Sequence, residues 1–184
     1  MNKIIFLIGL FIIFCCKTYE NKILAEQIKT NHPIVLKYNK AHNKFSRIKI
    51  PLKIKIENNS VSDYNFASIR YEYNSGFKGI KEDLYTEENQ KLKKIINNEK
   101  KTIKSKKNKE FIMYTSHRLD SSKQFQEKLT SYLKKVKENN KKISIGSISE
   151  FKLKNHALLT FLTKNDSVII NTWKGENIIL SIKW

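Results

Sequence analysis

Cysteine is almost missing from this chain. Among 184 residues only Cys15 and Cys16 carry a thiol, and they stand side by side with none after them. The rest of the chain therefore has no disulfide framework and no cysteine-ligated metal. Glycine (5) and proline (2) are too few for a flexible linker, a low-complexity spacer or a glycine loop cradling phosphate. Arginine is confined to Arg47, Arg70 and Arg118, so the positive charge is nearly all lysine. Base-edge and phosphate recognition favour the arginine fork, which counts against nucleic acid as a partner. Carboxylates are scarce as well, 17 against 36 Lys plus Arg, for a net charge of +19. His32, His42, His117 and His156 stand apart, with no His-x-x-x-His pair and no calcium loop. No metal site and no cofactor are expected.

What is present begins with a run of apolar residues. Lys3 precedes an uninterrupted apolar stretch at residues 4–14, followed by Cys15, Cys16 and the polar Lys17-Thr18-Tyr19-Glu20-Asn21. The run has the length of a secretory h-region and is shorter than the ~18–20 residues a helix needs to cross a bilayer. An apolar run ending directly in cysteine resembles the signal of bacterial lipoproteins. In that class the thiol receives a diacylglycerol, a dedicated peptidase cuts just before it, and the new N-terminus is acylated. The resemblance implies a lipidated Cys16, with Cys15 in the small position ahead of it and Ile13 at the apolar third position back. Cys15 is the other candidate, with Phe14 before it. An ordinary secretory signal and an uncleaved membrane-anchoring segment are the alternatives. Lys17 rather than Asp after the anchor implies the outer membrane over the inner one. Whether the body faces the periplasm or the medium stays open.

Residues 17–31 read as a tether with a short helical piece at Ile23, Leu24 and Ile28. The clearest element follows. Ile48, Ile50, Leu52, Ile54 and Ile56 alternate with Lys49, Pro51, Lys53, Lys55 and Glu57, the period-two pattern of a half-buried strand. Pro51 has no amide proton, which predicts an edge position or a bulge. The turn cluster at residues 58–63 and the aromatic stretch at residues 64–73 then predict a hairpin, with a slip of phase near Ala67 and Ser68. The layout of residues 33–85 loosely resembles the strand pairs of small immunoglobulin-like sandwich modules of secreted bacterial proteins. After Tyr85, Thr86 with Glu87 and Glu88 predicts a helix start, continued by Leu92, Ile95, Ile96 and Ile103. A basic connector, a short buried strand at residues 110–115, and a helix opened by Ser121 and Gln124 come next. Phe125, Leu129, Tyr132, Leu133 and Val136 line one face of that helix. A strand at residues 143–147, an amphipathic helix from Ser149, and two closing strands turned at Lys174-Gly175-Glu176 complete the chain. Ile178, Leu180, Ile182 and Trp184 share a phase, so the last residue is expected to be packed.

The predicted fold class is α+β: a β-rich, antiparallel first half followed by a helix–strand–helix–hairpin half. The boundaries are 1–15 for the signal peptide, 16–31 for the anchor and tether, 32–85 for the β-rich half and 86–184 for the α+β half.

Two stretches invite a functional reading. Ser116, His117, Arg118 and Asp120 lie within five positions at a strand–helix junction. Triads converge in space and rarely from such close neighbours, and no nucleophile elbow frames Ser116. The plain reading is a strand end with a helix cap. The functional one is a polar ligand-binding loop of His117, Arg118 and Asp120, with Arg118 clamping an anion. The lysines at residues 91–109, chiefly Lys100, Lys101, Lys104, Lys106, Lys107 and Lys109, read as a solvated face under a lysine-rich codon bias. Their functional reading is contact with an anionic surface such as lipid head groups, lipopolysaccharide or an acidic protein. No aromatics interleave to stack single-stranded bases. The sequence supports a non-enzymatic, lipid-anchored envelope protein binding another protein or an envelope component, attached to the membrane by its N-terminal lipid. An immunity-type lipoprotein is one concrete form, similar in size, anchor and charge. An envelope hydrolase near His117 and a structural subunit of an outer-membrane assembly are the rivals.

Overall fold

A computed structural model of the chain describes residues 22–74, 82–96, 101–136, 141–173 and 177–184. The long alternating strand is its axis. β3 (Lys44–Asn58) buries Ile48, Ile50, Leu52, Ile54 and Ile56 on one face, and its lysines lie on the other. Two of those lysines are paired with carboxylates. Lys53 reaches Glu110 at 2.7 Å and Glu87 at 3.3 Å, and Lys55 reaches Glu26 at 3.4 Å.

The strand is central, not at an edge. One flank is paired over Arg47 to Asn58 by the antiparallel strand β8 (Lys107–Arg118). The other flank is shared by β1 (Ile23–Ile28), opposite Asn58 to Lys53, and β2 (Val35–Asn39), opposite Lys49 to Lys44. Neither registers against residues 50–52. Ile50 turns its carbonyl toward β8, where it accepts from the Thr115 hydroxyl at 3.2 Å. By alternation the backbone of residue 51 faces the other flank, where the two strands leave a notch. Pro51 thus sits at the point in the middle of the sheet where no ladder partner asks for its missing proton. The residues expected as a helical tether, 23–28, are the strand β1.

The seven-stranded sheet runs β6-β5-β8-β3-β2-β9, with β1 beside β2 on β3. Here β5 is Leu84–Glu88, β6 is Lys91–Lys94 and β9 is Lys142–Ser144. The helix expected after Tyr85 is instead the hairpin β5–β6. Its two loop residues, Asn89 and Gln90, both have positive φ (51° and 62°), the backbone of a tight turn whose twist matches paired strands.

The predicted hairpin between β3 and residues 64–73 does not form. β4 (Tyr64–Glu72) belongs to a second, four-stranded sheet ordered β11-β10-β4-β7. Its partners are β10 (Ser167–Thr172) and β7 (Thr102–Ile103), and β11 (Asn177–Ser181) pairs with β10. β8 matches β3 along twelve registered pairs, so β4 lies across the apolar face of β3 instead of extending its edge. Phe66 of β4 meets Phe111 of β8 edge to face, 5.2 Å between ring centres. The expected slip of phase is there: the β4–β10 register shifts so that Ser68 and Phe66 face consecutive residues, bulging Ala67.

Helices cover the other end of the same face. The helix expected from Ser121 is short: α1 (Lys123–Glu127) followed by a 3-10 turn at Thr130–Lys135. Ser121 and Gln124 form no capping box, and Asp120 takes the Ser122 amide at 2.7 Å instead. Gln126 binds both the amide and the carbonyl of Phe45 (2.9 and 3.0 Å), fastening α1 to the start of β3. α2 (Ile148–Thr163) carries a capping box of Ser147 and Glu150 and packs Phe151, Leu158 and Leu159 inward.

Two apolar clusters result. One joins Leu52, Ile54, Ile56, Phe111 and Met113 to Phe66, Ile69, Tyr71, Val168 and Ile170 of the small sheet. The other joins Ile48, Ile50, Leu36 and Phe45 to Leu129, Phe151, Leu158 and Leu159 beneath the helices. Trp184 packs against both, so the last residue is indeed packed, and its carbonyl accepts from Lys152 at 2.6 Å. The turn expected at Lys174-Gly175-Glu176 lies outside the described residues.

Candidate functional site

β8 continues through the whole Ser116-His117-Arg118 stretch, and strand alternation separates its members. His117 points inward and is 5% exposed, whereas Arg118 is exposed. Ser116 turns away from His117, its hydroxyl 3.4 Å from the Arg47 guanidinium. Asp120 is occupied with the Ser122 amide. The four residues do not converge.

His117 instead sits at the seam between the two covers. Its ring lies edge-on to Tyr71 of the small sheet (6.0 Å) and to Tyr73 just after β4 (5.2 Å), beside the Leu162 backbone of α2. Its Nε2 is 3.0 Å from the Thr115 hydroxyl. Burial pushes its pKa down to about 4, so the ring is neutral at physiological pH.

The two tyrosines each meet a carboxylate. Tyr71 donates to Asp166 at 2.7 Å, and the other oxygen of Asp166 accepts from the Asn74 amide at 2.9 Å. Tyr73 donates to Glu82 and accepts the Ser116 amide at 2.7 Å. β5 ends opposite Met113, so Tyr73 satisfies the edge of β8 beyond it. Burial raises the pKa of both tyrosines and of both carboxylates. This seam pairs its polar groups internally. Nothing in the local sequence announces it, because Tyr71 and Asp166 are 95 residues apart.

Arg118 lines a different feature, a cleft of about 320 Å³ with Asn39, His42, Lys44, Ser46 and Ser121. Lys44 reaches the Ser121 carbonyl there at 2.8 Å. His117 and Asp120 are not among its lining residues, so of the predicted loop only Arg118 borders this cleft. A larger cleft of about 500 Å³ opens at the notch over Pro51, between residues 27–31, the N-terminus of α2 and the last strand.

Of the lysine run, Lys91, Lys93 and Lys94 lie on the edge strand β6, while Lys107 and Lys109 lie toward the opposite end of β3. Lys101 is half-buried and donates to the Ala67 carbonyl at 2.8 Å. Lys104 pairs with Asp63 at 2.8 Å, and Lys106 donates to the Asn59 carbonyl at 2.6 Å. Lys107 is exposed, and Lys109 lies 5.8 Å from the Phe111 ring centre. Beneath these turns lies Asn58, fully buried. Its amide nitrogen faces the carbonyls of Ser62, Ile103 and Lys104 (2.8–3.2 Å), and its oxygen accepts from Ser60. In the sequence Asn58 stands out only as a turn former. Cys15, Cys16 and Lys100 lie outside the described residues.

Among the described residues no group of His, Cys, Asp and Glu could hold a metal ion, and no helix is long and apolar enough to cross a membrane. No protein family, curated protein or solved structure matches the chain.

Proposed function

We propose that this chain is a lipid-anchored cell-envelope protein that acts by binding another protein or an envelope component. The observation that carries this reading is the closeness of the cysteine pair to the body. Only residues 17–22 separate Cys16 from β1, so a lipid on Cys16 would hold the sheet within about 22 Å of the bilayer. Two or three acyl chains make such attachment durable. Lys17 supports the outer membrane. The separation of Ser116 from His117, and the internal pairing of the seam, favour binding over hydrolysis.

A surface for a protein partner is offered by α2. Leu153 and Phe161, on either side of the non-helical Asn155 (φ −138°, ψ 39°), are 87% and 76% exposed. A large aromatic side chain held outward, as Phe161 is, can anchor a protein contact. An immunity-type role, holding an incoming toxin at the membrane, is the form that best fits a small anchored body. The face-to-face packing of β4 and β10 on β3 and β8 supports a sandwich-type module, with strand pairing unlike the simple hairpin of the immunoglobulin-like comparison.

Metabolic labelling with a fatty-acid probe should tag the wild type and not Cys16→Ala. Label that persists there but vanishes in Cys15→Ala moves the anchor by one residue, and label unaffected by either overturns the lipoprotein reading. Cross-linking in native membranes should yield a partner at fixed stoichiometry, lost in Leu153→Asp/Phe161→Asp. A hydrolytic activity abolished by His117→Gln in a folded protein would overturn the binding role.

A further inference from the structure

We propose that the end of the molecule where the chain emerges at Lys22 is a basic platform that rests on anionic lipid head groups. This deepens the envelope reading and rests on it for one point, that the chain ahead of Lys22 is held at a bilayer.

Strand register fixes what shares that end. Ile23 pairs with Asn58, and Asn58 pairs with Lys107. The Asn59 amide donates to the Lys22 carbonyl at 2.6 Å. Two turns, at residues 59–63 and 104–106, are sewn together beside it. Ser105 donates its amide to Asp63 (3.0 Å) and its hydroxyl to the Ser60 carbonyl (2.9 Å). Lys22, Lys104, Lys106 and Lys107 are all exposed there, with Asp63 alone opposing them within these turns. Val61, at the tip of the first turn, is 85% exposed.

The conformation of Lys106 is a further sign. Its φ is +56°, a left-handed backbone that glycine or asparagine would adopt at lower cost. A long cation stands there, at the end where the described chain begins at Lys22. Residues 1–21 hold the apolar run at 4–14, so whatever secures them to a bilayer brings this end to it first. Acidic lipid attracts each lysine near the surface, about five-fold in partitioning per charge. The apolar tip at Val61 suits the head-group boundary. Charge, apolar tip and point of chain exit therefore coincide. They select a lipid surface over an acidic protein, for which the exit point would have no significance.

The test uses the full chain, reconstituted into vesicles of phosphatidylcholine alone or mixed with phosphatidylglycerol. Lysine acylation rates are read by mass spectrometry. Lys22, Lys104, Lys106 and Lys107 should react about ten-fold more slowly on the acidic vesicles. Lys123 and Lys128 should not change, because α1 is fastened to Phe45 at the far end of β3. High salt should remove the protection. Equal slowing at both ends overturns the platform and leaves only the diffuse effect of +19. No slowing, or no association with acidic vesicles, overturns it outright. Failure of the anchor reading is seen separately, as absence of fatty acid on Cys15 and Cys16. Protection would then still be readable, since the apolar run itself presents the chain to the vesicle.

Discussion

Ile48 and Ile50 differ little from Leu52, Ile54 and Ile56: the same residue types, on the same face of the same strand, all essentially unexposed. Yet the first pair lies under helices and the second group under a sheet. An alternating strand specifies which side is to be covered and leaves the cover to the rest of the chain. At β3 the choice is made by shape. The aromatic face of β4 supplies Phe66 and Tyr71 to one half, and α2 supplies Phe151 and Leu159 to the other. One polar cluster lies where these two covers meet, with Tyr71, His117 and Asp166 buried and Tyr73 half-buried.

The comparison is broken most forcefully by emptying each cover in turn. Phe111→Ala under the small sheet and Phe151→Ala under the helices should each cost about 3–5 kcal/mol, read by urea unfolding. Because β3 belongs to both clusters, circular dichroism and tryptophan fluorescence should still report one coincident transition. Two separated transitions would mean that the covers are independent units.

The seam is sharpened by pH. His117 titrates at about 4 when folded, against an ordinary value of 6.5. Between these values the unfolded chain binds a proton that the folded one refuses, so stability falls as pH falls. The loss is about 3 kcal/mol from pH 7 to pH 4. The raised carboxyls of Asp166 and Glu82 act in the opposite direction, regaining stability as they protonate. The decisive quantity is therefore the difference in pH slope between the wild type and His117→Gln. Parallel slopes would place His117 outside the seam's energetics.

At the Lys22 end, Asn58→Leu should cost about 2–3 kcal/mol, because the Ile103 carbonyl loses its donor in a buried site. A fall below about 0.5 kcal/mol would show that the turns hold each other without it. The smallest effect is expected at Gly146, whose φ is +106° and where an added Cβ would run into Glu150 Oε2. Gly146→Ala should cost about 1–2 kcal/mol and shift the capping box of α2. An unchanged melting temperature would mean that the α2 entry relaxes freely.

Local periodicity was legible where a residue's fate depends on its near neighbours. The face of β3, the bulge at Ala67 and the packing of Trp184 could all be read that way. Pairing was not. β3 had an adjacent aromatic strand as its obvious partner, but β8, about fifty residues on, offered twelve matched positions. The stretch after Tyr85 misled because Leu92, Ile95 and Ile96 mimic helical spacing, while the decisive signal was Asn89, tolerant of a left-handed turn. At the candidate site, proximity in sequence grouped Ser116 with His117, and alternation along β8 set them on opposite sides. The partners of the seam come from distant segments and leave no local pattern.

The notch at Pro51 bears on how the molecule carries load. β1 is paired with β3 through Ile23 to Ile28 and ends at the notch, while β2 begins anew beyond it. A pull on the chain ahead of Lys22, resisted from the far end of β3, runs along the axis of β1. Its six registered pairs then bear the tension together, in shear, and do not unzip singly. The break in the ladder confines that tension to a single short strand, so β2 and the helical cover stay unloaded until β1 slips.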